Sequence, residues 1–256
     1  MTHPFFAPDR PRVFAHRGFV PPDAEGVVEN SFAAFAAAHA AGVPYVESDC
    51  HVSADGTVIL FHDADLARVA GDHRSVSDVG DRELELLMAE RGGLVTLAQA
   101  LEAFPTLRFN LDVKAEGAAE EVGRIVAPHA DRVLLTSFSE RRRVSAMRSA
   151  SRLGGRPATS AGTTRVAAFV AAATVGVPWL IRRALRGIDA IQVPERRGPI
   201  RVVSPRLIRA AHRAGVEVHV WTVNDADDMR RLLAAGVDGL VTDRVDRALA
   251  VINGSR

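Results

Sequence analysis

The sequence holds a single cysteine, Cys50, in 256 residues. That excludes an intramolecular disulfide framework and any zinc site built on cysteine. Excess charge of one sign is missing too: 32 Lys and Arg stand against 31 Asp and Glu, for a net charge of +1. The chain as a whole therefore has no global field to gather nucleic acid or an anionic membrane, and nucleic-acid binding is disfavoured. The first thirteen residues carry Pro4, Pro8, Pro11, Asp9 and two arginines, with no apolar run of signal-peptide length. Together with the lone cysteine, this gives the expectation of a cytoplasmic protein. One uncharged run opens at Val166 and closes at Ile181 (VAAFVAAATVGVPWLI), just before Arg182 and Arg183. It falls short of the roughly 20 apolar residues that span a bilayer, and Gly176 and Pro178 would break its helix. A buried barrel helix is the expectation there, with peripheral membrane contact through residues 166–181 as the alternative.

Low-complexity tracts, long linkers, fixed-length repeats and a Gly-x-Gly-x-x-Gly turn after the first strand are likewise absent. What is present is an alternation of short β-branched runs with Ala-, Leu- and Arg-rich stretches of helical period, the pattern of parallel strands joined by crossover helices. Eight strands are expected, at 13–16, 45–49, 108–113, 133–137, 157–160, 190–193, 217–221 and 239–242. Helices should begin near residues 30, 97, 118, 140, 164, 205, 226 and 246. Ser204-Pro205 and Asn224-Asp225 read as helix starts, and Gly42, Gly215 and Gly236 as helix ends. The whole chain, 1–256, is expected to be one α/β domain with a (β/α)8 TIM barrel structured over about residues 11–253, a common size for this fold. The charged segment 63–93 is placed as an elaborated loop and helix after the second strand, on the active-site side.

In such a barrel the C-terminal strand ends converge on one mouth, and those ends are rich in reactive groups. His16-Arg17-Gly18 ends the first strand, Glu47-x-Asp49 the second and Asp112-x-Lys114 the third; His62-Asp63 follows the run 57–61. Glu47 and Asp49, two apart, point the same way, as two hard oxygen ligands of one cation would, and Asp112 could complete the set. Without cysteine the site suits Mg2+, Ca2+ or Mn2+ rather than zinc. Isolated acidic residues at strand ends can also simply cap turns. His16 and His62 can move protons near neutral pH, one accepting from the attacking oxygen and one donating to a leaving alkoxide. Arg17 can hold two phosphate oxygens through its planar fork, and Lys114 can add a point charge. The alternative is that both cations pair with Glu29, Glu47 or Asp112 and brace the mouth.

At these residues the sequence resembles the glycerophosphodiester phosphodiesterase family. The resemblance rests on His16-Arg17-Gly18, Glu29-Asn30-Ser31, Tyr45-Val46-Glu47-Ser48-Asp49, the Asp55-Gly56 turn, Phe61-His62-Asp63 and Leu111-Asp112-Val113-Lys114. It extends more weakly through Thr136-Ser137-Phe138, Trp221-Thr222-Val223-Asn224 and the run from Gly236 to Asp243. It implies a phospholipase-C-like TIM barrel that hydrolyses small glycerophosphodiesters to glycerol 3-phosphate and an alcohol with one divalent cation. By that analogy His16 and His62 are the acid–base pair, Arg17, Glu29, Lys114 and Trp221 contact phosphate or substrate, and Glu47, Asp49 and Asp112 bind the metal. The family usually has Glu at the position of Asp112. Ser53-Ala54 stands where Thr-Lys is common, and the loop 19–28 is longer than usual. A rival keeps the chemistry but takes lysophospholipids at a membrane surface, through an apolar lip of Phe169, Val170, Val177, Trp179 and Leu180. A rival of another class is a catalytically silent barrel that binds phosphate.

Overall fold

Runs of two-residue alternation fold as strands and alanine-rich runs as helices, in the order expected from the sequence. The computed structural model describes residues 3–8 and 10–254. Its eight parallel strands are β1 (Arg12–His16), β2 (Tyr45–Val52), β3 (Arg108–Val113), β4 (Val133–Thr136), β5 (Ala158–Thr159), β6 (Ala190–Pro194), β7 (Glu217–Trp221) and β8 (Gly239–Thr242). They neighbour one another in the order β5-β4-β3-β2-β1-β8-β7-β6. A single parallel bridge from Ser160 to Ala190 joins the two ends into a nearly closed barrel. That seam is thin for a local reason. Pro157 has no N–H to donate, and the Thr159 N–H goes to the Asp189 carboxylate (2.9 Å) rather than to a strand carbonyl, so β5 is shorter than 157–160.

Outward-facing Val13, Ala15, Val46, Leu111 and Val218 pack beneath the surrounding helices in the main core. Helix starts follow side-chain capping: Ser204 Oγ accepts from Leu207 N (3.3 Å), and Thr96 with Gln99 forms a reciprocal capping box. At 224–225 the cap is Asp225, while Asn224 is used elsewhere. Segment 63–93 departs from a plain loop and helix. It adds a two-stranded ribbon, Asp65–Leu66 against Asp72–Ser75, before the helix Asp81–Met88, around a small core of Ile59, Phe61, Leu66, Val76, Val79, Leu84 and Met88. Strands this short carry no readable period.

The run from Val166 to Ile181 divides between helices Thr163–Val175 and Pro178–Ala184, broken at Gly176 (φ 82°). Phe169 is fully buried, Val170, Val177 and Leu180 are half-buried, and only Trp179 stands out, at 59% exposure. The continuous apolar lip is therefore corrected: helical period turns Phe169 inward to the core. No helix among the described residues is long and apolar enough to cross a membrane.

The end of the barrel opposite the mouth is plugged by Phe5 and Phe6, which pack on Phe14 and Tyr45. Beside them Arg12 donates to both Glu217 oxygens (2.9 Å each) and to Tyr45 Oη (3.0 Å), and His219 Nε2 donates to Glu217 (3.0 Å). Burial pushes the Glu217 carboxyl up, but the bonds and charges of His219 and Arg12 outweigh it and hold it down at about 2. A depressed carboxyl stabilises the fold above its unfolded value, near 4.5, and that stabilisation fades as pH falls toward 2. Glu217→Gln should therefore lose less stability than wild type on acidification from about pH 6 to about pH 3, by roughly 2 kcal/mol. Urea unfolding across that range measures it, and parallel slopes would remove Glu217 from the acid response.

Candidate active site

Strand pairing assembles the mouth. Register sets His16 beside Glu47, Glu47 beside Asn110, and Asp49 beside Asp112. The two-residue spacing turns all of them to the barrel interior. Glu47, Asp49, Asn110 and Asp112 are each buried. Lys114 Nζ lies between two of the carboxylates, 3.0 Å from Asp49 Oδ1 and 2.8 Å from Asp112 Oδ2. Burial, then the Asp49 charge, raises the Glu47 carboxyl to about 8. Burial likewise raises that of Asp112 against the pull of Lys114. Burial opposes the Lys114 charge, but Asp112 and Asp49 outweigh it and keep its pKa above the ordinary value.

The carboxylate group is short of donors. Glu47 Oε2, Asp49 Oδ2, Asn110 Oδ1 and Asp112 Oδ1 are all buried without a hydrogen-bond partner. Four unmatched oxygens on two neighbouring strands want positive charge or protons, and a hard cation suits such donors. Among the described residues, however, no three His, Cys, Asp or Glu side chains converge closely enough to enclose an ion. The chemistry of the donor set fits a divalent cation, while Lys114 Nζ already pairs with two of its members, Asp49 and Asp112.

The two histidines are built alike. His16 Nδ1–H donates to Asp243 Oδ1 (2.6 Å), and its Nε2 lies 3.8 Å from Glu47 Oε2. His62 Nδ1–H donates to Asp63 Oδ1 (2.7 Å). A carboxylate has no proton to give, so in each pair the imidazole is the donor at Nδ1 and Nε2 is left for chemistry. Burial works against protonation of His16, but the Asp243 bond and the Glu47 charge prevail and lift its pKa. The orienting carboxylates are themselves fixed. Asn224 Nδ2 donates to Asp243 (2.7 Å), and Arg68 Nε donates to Asp63 (2.6 Å). His62 is carried to the end of β2 by the Phe61 N–H, which donates to Asp49 O (3.0 Å).

Arg17 and Glu29 meet through the loop between β1 and the first helix. Arg17 (φ 57°) and Asn30 (φ 56°) both take the left-handed conformation, which is costly for residues with side chains. Hydrogen bonds hold them there: Arg17 N to Glu47 O, Asn30 N to Arg17 O (2.8 Å each), and Ser48 Oγ to Asn30 Oδ1 (2.7 Å). Gly18 (φ 83°) can only be glycine, because a Cβ there would lie 2.7 Å from Ala34 Cβ. Arg17 Nη1 donates to both Glu29 oxygens (3.0 and 3.2 Å), while its Nε is buried with no partner, 3.7 Å from Asp49 Oδ2. Arg68 also donates to Glu29. Burial would raise the Glu29 carboxyl, but Arg68 and Arg17 lower it. Glu29 is thus a hub for two guanidinium groups. Trp221, at the end of β7, packs edge-on against Phe138 at a ring separation of 5.8 Å, and Lys114 Nζ lies over Phe138 at 5.3 Å.

All nine residues expected from the sequence thus lie at the mouth ends of strands or in the loops beside them. Asn110, Arg68, Asn224 and Asp243 had no role in that expectation. The pairing of Asp63 with His62 was readable from adjacency alone, while Asp243 lies 227 positions from His16 and only the fold joins them.

Known proteins resemble this chain throughout. The model of the glycerophosphoryl diester phosphodiesterase family matches residues 16–247. Over 236 residues the chain is 38% identical to the protein named probable glycerophosphodiester phosphodiesterase 2 of Mycobacterium tuberculosis, covering 91% of this chain and 87% of that protein. Among solved structures, a glycerophosphodiester phosphodiesterase from Parabacteroides distasonis superposes with a TM-score of 0.72 at 21% identity, covering 95% of this chain and 97% of that one. A phosphodiesterase from Oleispira antarctica, solved with the product sn-glycerol-3-phosphate, superposes with a TM-score of 0.71 at 22% identity, covering 95% and 97%.

Proposed function

The chain belongs to the glycerophosphoryl diester phosphodiesterase family, and from that premise we propose that it hydrolyses small glycerophosphodiesters to glycerol 3-phosphate and an alcohol, with His16 and His62 as the proton-transfer pair. The observation that carries the assignment is the matched pair of imidazoles, each held at Nδ1 by a carboxylate at the mouth of the barrel. One Nε2 takes the proton from the attacking oxygen as the new P–O bond forms. The other protonates the alkoxide as the old P–O bond breaks. Arg17 presents a buried Nε–H with no partner, a donor available to a phosphoryl oxygen, while Glu29 holds the rest of its guanidinium in place. Lys114 adds fixed positive charge beside Asp49 and Asp112, and Trp221 with Phe138 offers an aromatic wall to the glycerol or alcohol part of the substrate.

Glu47, Asp49 and Asp112 would hold one divalent cation, Mg2+, Ca2+ or Mn2+, which when bound supplies positive charge to a phosphoryl oxygen. The four unmatched buried oxygens support this reading.

A panel of glycerophosphodiesters with product identification tests the proposal. We expect glycerol 3-phosphate and free alcohol, loss of hydrolysis on exhaustive chelation, and recovery when a divalent cation is returned. Release of free glycerol with the phosphate left on the other alcohol would overturn the bond assignment. Full activity in metal-free protein would overturn the cation.

A further inference from the structure

The near-neutral total charge conceals a strong local imbalance. Residues 141–188 contain ten arginines and no aspartate or glutamate. Some of these arginines serve the fold: Arg143 is buried against Glu140 and Thr159, and Arg142 donates to Lys114 O and Ser137 Oγ. Four others gather at one place. Arg165, Arg182, Arg183 and Arg186 line, with Trp179, a surface depression of about 550 Å3. Arg182, Arg183 and Arg186 are exposed. Among the described residues, none of the three has an acidic side chain or other side-chain hydrogen-bond partner. Trp179, Arg182 and Arg183 share one face of helix Pro178–Ala184 by their three- and four-residue spacing, and Arg186 follows just past its end.

This face adjoins the mouth. Arg165 donates to Ala184 O (2.9 Å) and Arg186 O (2.8 Å), which ties the end of helix Pro178–Ala184 to the start of helix Thr163–Val175. That start lies at the mouth end of β5, where Thr163 N donates to Phe138 O (3.1 Å). Phe138 is itself 53% exposed. The rim of the site thus runs from an exposed phenylalanine to an arginine cluster and an exposed tryptophan, with no acidic residue from its own stretch of chain; from outside that stretch, Glu140 lies 3.7 Å from Arg165 and Glu116 pairs with Arg141 (2.9 Å).

We propose that this face docks the enzyme on a bilayer containing anionic phospholipids, with Arg182, Arg183 and Arg186 at the headgroup phosphates and Trp179 at the headgroup boundary. Tryptophan favours that boundary because one part of the ring is apolar and its N–H is polar. Arginines near an anionic leaflet add attraction that falls with salt. A diffuse lipid surface suits three arginines on long exposed stems better than one compact anion would, since none of them is buried or held in a fixed direction by a neighbour. The docking uses none of the residues assigned to hydrolysis, so the two proposals stand or fall separately.

Co-sedimentation with vesicles tests it. Wild-type protein should bind vesicles of phosphatidylcholine mixed with phosphatidylglycerol, bind phosphatidylcholine vesicles far less, and lose binding as salt rises. The combined change Arg182→Ser, Arg183→Ser and Arg186→Ser should weaken partition at least about tenfold. Trp179→Ala should weaken it by a part that salt does not remove. Hydrolysis of a water-soluble glycerophosphodiester should stay unchanged in both variants, which also reports that they are folded. No binding by wild type, equal binding to both vesicle types, or undiminished binding by the triple variant would overturn the proposal. So would saturable calorimetric binding of inorganic phosphate at these arginines without vesicle binding, since that would assign the face to a soluble anion.

Discussion

With His62 or His16 replaced by alanine, turnover of a glycerophosphodiester should fall by about 10²-fold or more, while the thermal midpoint stays close to that of wild type. The expectation of a large kinetic effect with a small structural one follows from what each ring touches. Neither ring is fully buried: the side chains are 19% and 34% exposed, for His16 and His62. Their carboxylate partners stay anchored after the ring is gone, Asp243 by Asn224 and Asp63 by Arg68. Neither orienting carboxylate is therefore stranded, and the usual source of severe destabilisation is missing at both. The loss is confined to proton transfer. Because the two imidazoles act on the same displacement, the double variant should be little slower than the worse single one. Asp243→Asn and Asp63→Asn separate holding from proton transfer. Each keeps a polar group at Nδ1 but removes the carboxylate that fixes the orientation and tautomer of the ring, so kcat should drop by less than in the alanine variants while KM is kept. Turnover by His62→Ala close to wild type would take His62 out of the mechanism, and a collapse in thermal midpoint would reassign it to the fold.

How far the sequence reveals such a site depends on the distance over which its interactions act. Strand ends were legible because alternation is local. Tyr45 through Asp49 shows which residues share a face, and the polar residues His16, Glu47, Asp49 and Asp112 stand where apolar runs stop. The outer helices were legible through their caps and terminal glycines, as at Ser204 and Gly215. The Asp243–His16 pair was not, because it depends on β8 lying next to β1, and a barrel makes its first and last strands neighbours only on closure. The engagement of Lys114 was undecidable from spacing: two residues from Asp112 it can point to substrate or to carboxylates, and in the fold it reaches two carboxylates at once. The run from Val166 to Ile181 was legible as helix interrupted at Gly176 and Pro178, but the apolar lip drawn from it failed because composition does not say which side of a helix is covered. Three-dimensional packing buried Phe169 and left Trp179 outside.

Asp112 offers the sharpest division between a metal ligand and a structural ion pair. Its carboxylate has two unlike oxygens: Oδ2 receives Lys114 at 2.8 Å, and Oδ1 is buried with no partner. If the residue serves a cation through Oδ1, then Asp112→Ala removes one of three charged ligands and should weaken divalent binding by about 10- to 100-fold. Turnover should fall with it. Asp112→Glu adds one methylene and restores the reach that the family resemblance leads one to expect. The longer side chain can approach Asp49 and Glu47 more closely without moving β3, so activity should persist and affinity for Mg2+ or Ca2+ should hold or tighten. If Asp112 serves only Lys114, the order changes. Asp112→Ala would then leave metal affinity intact, with Lys114 still paired to Asp49, and Asp112→Glu would disturb a well-fitted pair for no gain. Titration of Mg2+ and Ca2+ into both variants by calorimetry reads the difference directly, independent of turnover. An alanine variant that binds either ion as tightly as wild type would show that Asp112 is no ligand, and the third oxygen donor would have to be sought at Asn110 or Glu29.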